Sequence, residues 1–155
     1  MQTFNQQAIV DGRGLKNHFN ALQHKQARDN MKKTVSTQKA PKPIGPYNQA
    51  VQAGNFLFVS GQLAIDPNDE KLIVENMRLQ THQIMENIKA ILETAGYSLK
   101  DVVQSTVYLS SMSLFEEFNR EYAKFFDGDF PARTLVGSEL KRGALVEISV
   151  VAYKD

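Results

Sequence analysis

A chain of 155 residues, 42% apolar and 23% charged, has room for one domain with a real core, and its lack of cysteine excludes disulfide bridges and thiolate chemistry. No apolar run approaches the roughly 20 residues of a membrane span, and no secretory pattern opens the chain, so the expected setting is cytoplasmic with no membrane partner. Residues 1–42 hold eight Lys/Arg against Asp11 and Asp29, a net of +6, while residues 43–155 hold ten against fifteen Asp/Glu, a net of −5, which makes the body acidic and nucleic acid an unexpected partner.

Residues 1–30 are polar and rich in Gln and Asn, with one short apolar stripe of Leu15, Phe19 and Leu22. They read as a disordered extension; a mitochondrial targeting segment and an added leader are the alternatives. The domain proper is expected over 31–155. Lys39 to Tyr47 holds three prolines and a glycine; proline lacks a backbone donor and restricts its predecessor, so this is an extended entry segment. Asn48–Gln52 alternates as a first strand. Phe56–Ser60 is a compact apolar run, expected as a strand buried on both faces. Asp66-Pro67-Asn68-Asp69 is a turn cluster.

Asn76 is a candidate N-cap for a helix whose apolar stripe runs Met77, Thr81, Ile84, Met85, Ile88, Ile91, Leu92 and Ala95, with Gly96 as its stop. His82 lies one step off that stripe and reads as a surface residue. His18 and His24 have no acidic cluster beside them, and no metal or other cofactor is expected. Val102–Leu109 is β-branched and alternating, hence a strand. Ser113-Leu114-Phe115-Glu116 matches a capping box. Phe115, Phe118, Tyr122 and Phe125 then stripe a second helix toward the core, and Gly128 ends it. Two closing strands follow, Phe130–Val136 and Leu145–Ala152.

The order β–β–α–β–α–β–β predicts a single α/β (α+β) domain, one mixed sheet with two helices on one face. Each closing strand carries one charge in an apolar run, Arg133 and Glu147. Alternation places Val146, Ile148, Val150 and Ala152 on the face that two helices can cover. Glu147 then points to the open face together with Leu145 and Val151. A half-apolar open face is an unusual monomer surface, so a closed homo-oligomer is expected. A buried charge is costly unless paired or used; each of the two is either an interface ion-pair partner or a functional group.

Ala40-Pro41-x-Pro43-Ile44-Gly45-Pro46-Tyr47-x-Gln49-Ala50 and Val59-Ser60-Gly61-Gln62 resemble the opening motifs of the reactive-intermediate deaminase (Rid, or YjgF) family. Gln80-Thr81 with Asn87-Ile88, Asn119 with Tyr122, Phe130-Pro131-Ala132-Arg133 and Val146-Glu147-Ile148 continue the resemblance, which covers roughly residues 34–153. It implies a chorismate-mutase-like fold, a homotrimer with inter-subunit clefts, and cofactor-free hydrolysis of 2-imino (enamine) acids to 2-ketoacids and ammonia. It also implies that Arg133 binds the substrate carboxylate and Glu147 positions or activates water. Tyr47, Ser60, Gly61 and Asn119 would line the pocket, with the Leu135 backbone contributing hydrogen bonds. A non-catalytic protein of this family that binds small carboxylates or acts as a regulatory or protective partner is the alternative, with a ribonuclease or translation inhibitor behind it. The chain departs from the family pattern in four places. Lys141 stands where a proline is usual, the Arg133–Glu147 interval is one residue short, Ser149 replaces a second acid, and Glu75 replaces a turn glycine.

Overall fold

The computed structural model describes residues 32–155, so the expectations for the first thirty residues lie outside the described residues. Six strands and two helices follow: β1 (Lys32–Val35), β2 (Ala50–Ala53), β3 (Phe56–Gln62), α1 (Met77–Thr94), β4 (Val102–Leu109), α2 (Phe115–Tyr122), β5 (Ala132–Gly137) and β6 (Val146–Tyr153). They build one sheet of order β1-β2-β3-β6-β4-β5. Only β4 and β5 pair in parallel, joined through α2 as parallel neighbours require. The mixed α+β architecture is the expected one, with one strand more than the sequence suggested. β1 is short, exposed and rich in lysine, and it pairs only with β2 at the sheet edge. Its pattern carries no burial signal to read.

Helix α1 forms where the stripe places it. The Asn76 side chain accepts from the Leu79 N–H at 2.9 Å, and the chain leaves the helix through Gly96 at φ +82°. There the Gly96 and Tyr97 amides donate to the Glu93 and Leu92 carbonyls, the pattern of a Schellman stop. Ile84, Met85, Ile88, Ile91 and Leu92 are fully buried against Leu57, Val59, Ile148, Val150 and Ala152 of the sheet. In α2, Phe118 and Tyr122 are buried and Phe115 half-buried, and Phe125 is half-buried on the 3-10 turn Ala123–Phe125 that follows, so the aromatic stripe is core, but the helix ends at Tyr122, well before Gly128. The start of α2 differs from expectation. Ser111, not Ser113, takes the capping role, accepting from the Ser113 amide ahead of a 3-10 turn at Met112–Leu114. The turn tightens the entry and shifts the cap two residues back.

The alternation along β6 holds, because Val146, Ile148, Val150 and Ala152 are all buried. Burial of β3 on both faces does not. Leu57 and Val59 are in the core, but Phe56 and Phe58 are 43% and 47% exposed on the other face. Two helices cover one side of the sheet only. The uncovered side gathers an aromatic group in which Phe56 lies 6.2 Å from Phe58 and 5.0 Å from Tyr153 between ring centroids. Among the described residues no helix is long and apolar enough to cross a membrane, and no group of three acidic, histidine or cysteine side chains could hold a metal ion.

Candidate functional site

One cleft, of about 470 Å³, lies between the proline segment, the end of β3 and β6. Its outer wall has no secondary structure and is held by one side chain. Gln49, only 2% exposed, donates from Nε2 to the carbonyls of Thr37, Ala40 and Pro41 at 2.8–3.1 Å, and its Oε1 accepts from the Thr37 amide at 2.6 Å. Opposite that wall, Ser60 donates its Oγ proton to the Asn48 carbonyl at 2.7 Å. The β3–β6 register shifts between Val59 and Gln62, three steps on β3 facing two on β6. Such a bulge kinks the strand and re-aims its residues. It brings Gly61 against the Glu147 side chain, so that a Cβ added at Gly61 would overlap the carboxylate and come within 3.0 Å of its Cδ.

Glu147 is half-buried in this cleft with Tyr47, Ser60 and Gly61. Loss of solvation holds its carboxyl above the usual carboxylate value, and the nearby Lys141 ammonium pulls it partly back. Lys141 reaches the cleft from a 3-10 turn at Lys141–Gly143.

A second cleft, also about 470 Å³, holds Arg133, Asn119, Tyr122, Phe130 and Pro131. The Arg133 guanidinium lies 5.2 Å from the Tyr122 ring centroid and 5.5 Å from that of Phe118, within cation–π range. Tyr122 is fixed in turn by a 2.8 Å hydroxyl–hydroxyl hydrogen bond to buried Ser105. Burial pushes the Tyr122 phenol up, offset in part by that bond and the Arg133 charge. The two rings therefore orient a guanidinium whose donors face solvent, an arrangement suited to a planar carboxylate.

Within one chain, then, Tyr47, Ser60, Gly61 and Glu147 share a cleft, Asn119 and Arg133 share another, and Leu135 lines neither. The Leu135 side chain packs on the core, leaving its backbone on the outermost strand. Convergence of Arg133 with Glu147 does not occur inside one chain, and the register gives the reason. Arg133 is paired with Ser105, which faces the helices, whereas Glu147 is paired with Tyr108 on the open face. Gln49, Lys141 and Tyr122 also stand in the two clefts without having been assigned there from sequence. Gln49 and Tyr122 were visible only as motif or core residues, and Lys141 only as a departure from a proline.

The sequence pattern of the family described as endoribonuclease L-PSP matches residues 37–154. A RutC family protein of Pyrococcus horikoshii is 51% identical over 126 residues, 81% of this chain and 100% of the relative. The crystal structure of RidA from an Antarctic Psychrobacter is 41% identical with a TM-score of 0.76, covering 79% of this chain and 99% of that one. The crystal structure of Escherichia coli TdcF with bound serine is 33% identical with a TM-score of 0.76, over 79% and 99%. The motifs, the sheet order and these likenesses agree, and the chain belongs to the Rid (YjgF) family.

Proposed function

We propose that the protein is a 2-imino acid deaminase that works as a homotrimer, with Arg133 from one copy facing Glu147 from another. The reading is carried by one observation: a half-desolvated carboxylate sits on a glycine in one cleft, and an aromatic-stacked guanidinium sits in a separate cleft on the opposite face. Each cleft is half of a site. The exposed Phe56, Phe58 and Tyr153, toward the other end of the same open face as Glu147, supply apolar surface for copies to bury. The serine in the TdcF structure supports a small carboxylate-bearing ligand.

The chemistry asks for little. Arg133 holds the substrate carboxylate through two parallel charge-assisted hydrogen bonds. Glu147 accepts a proton as a water oxygen attacks the imine carbon, then returns it to nitrogen. Glu147 then relays the hydroxyl proton of this carbinolamine to the amino nitrogen, and as the carbonyl forms the C–N bond breaks and ammonia departs, so one imine and one water become one 2-ketoacid and one ammonia. A carboxylate held above its ordinary value by desolvation is a better base near neutrality than a solvated one. Cleavage of RNA is the weaker reading despite the family's description, because residues 43–155 carry a net of −5 and phosphate backbones need cationic surface.

The test is ketoacid release from a pyridoxal-phosphate-dependent dehydratase reaction, with and without the protein. Acceleration by the wild type and its loss in Arg133→Ala, with assembly unchanged by sedimentation, is expected. Binding of 2-oxobutanoate without any acceleration favours a carboxylate-binding module. A monomer at micromolar concentration overturns the shared site.

A further inference from the structure

The cleft around Glu147 contains a cation that the proposed reaction on a simple imino acid does not use. Lys141 lines it together with Glu147, Tyr47 and Ser60, and its charge reaches the carboxylate. The other lysine of this cleft, Lys42, is committed on the rim, 3.2 Å from Glu70. Among the described residues Lys141 is in no such pair. The backbone makes room for it: Gly143 takes φ +71°, a left-handed value that glycine adopts without strain, and closes the 3-10 turn that presents Lys141 to the cleft.

We propose that Lys141 is a specificity-determining residue, forming with the Glu147 half-site a second carboxylate subsite that suits dicarboxylic 2-imino acids. The inference rests on the deaminase reading for its substrate class. The charge count gives the direction. A monocarboxylic imino acid brings one negative charge, which Arg133 from the other copy matches. A dicarboxylic one brings two into a cleft that already holds Glu147, and like charges without a counterion there repel one another. Lys141 supplies that counterion on the same cleft wall, about one charge-assisted hydrogen bond's worth of discrimination. The cleft lining also includes apolar Ile44, Leu63 and Ile65, which suit a short carbon chain between two carboxylates.

The experiment compares kcat/KM for 2-iminosuccinate, generated in place from L-aspartate by an oxidase, with that for 2-iminobutanoate from a dehydratase. It uses the full-length wild type, Lys141→Met and Lys141→Arg, well above the acid limb of the pH profile. The dicarboxylic-to-monocarboxylic ratio is expected to fall about tenfold in Lys141→Met, and to be held by Lys141→Arg. Calorimetry with 2-oxoglutarate, a stable dicarboxylic 2-ketoacid, and 2-oxobutanoate should show the same change in ratio. An unchanged ratio in both measurements overturns the subsite, and so does a parallel fall for both substrates, which marks Lys141 as acting only on Glu147. If the wild type hydrolyses neither imine, the deaminase reading fails, while the calorimetric ratio still decides the subsite.

Discussion

Arg133 and Glu147 leave opposite faces of the same sheet, two strands and three register positions apart. Strand spacing and rise put their Cα atoms roughly 14 Å apart. No side-chain rotation closes that gap through a packed sheet. If the pair acts together, it acts between copies, and complementation tests this. Arg133→Ala and Glu147→Gln are each expected to be inactive, yet equal co-expression should restore about a quarter of the wild-type activity, the share of sites that draw each intact half from a different copy. Two separately purified and unexchanged homo-oligomers, once mixed, should restore none.

Glu147 carries two opposed pH effects. In its proposed role as base it works ionised, so activity should rise with pH through a value above the ordinary carboxylate range, and Glu147→Gln should lower kcat by roughly 10²–10⁴-fold with a smaller change in KM. Its folded value is raised, so the folded state binds the proton more tightly than the unfolded one. The contribution to stability is therefore present at low pH and lost as pH rises through the folded value. Glu147→Gln is expected to melt above the wild type at pH 7 while being nearly inactive, the two curves drawing together in acid.

Gly61→Ala tests the seat of the carboxylate. Gly61 does not use a positive φ, so the backbone accepts alanine, and the atoms nearest the added methyl all belong to Glu147. A displacement of the order of 1 Å costs roughly a hundredfold in activity. Circular dichroism and sedimentation should be unchanged.

Tyr122 separates support from contact. Tyr122→Phe keeps the ring under Arg133 but strands the Ser105 hydroxyl, which is fully buried. About 1–3 kcal/mol of stability should go, with KM nearly unchanged. Tyr122→Leu removes the face itself, and KM for the carboxylate substrate should rise severalfold as the guanidinium loses its orientation.

Much of this was legible in the residues. The β6 alternation located Glu147 because a strand's two faces differ once helices cover one of them. Asn76 and Gly96 marked both ends of α1 because their chemistry is local. What escaped depended on partners distant in sequence. Phe56 and Phe58 look like core in any apolar run, and only the count of covering helices shows that their face is open. The side on which Arg133 emerges follows from the β4–β5 register, set by a parallel crossover through α2 that no local pattern encodes. Gln49 looked like one more polar residue because its four contacts are to backbone eight to twelve positions away.

That glutamine has a consequence for motion. A wall of prolines and loops would ordinarily breathe on its own, independently of the layers beneath it. Here Thr37 and Ala40 hang from an amide rooted in the core, so the wall cannot swing out without withdrawing a buried peg and orphaning its polar ends. The cleft should be a fixed slot, with no lid. Hydrogen exchange can see this: the Thr37 amide, donated to Gln49, should exchange as slowly as the centre of β6, and Gln49→Ala should release it together with the whole segment.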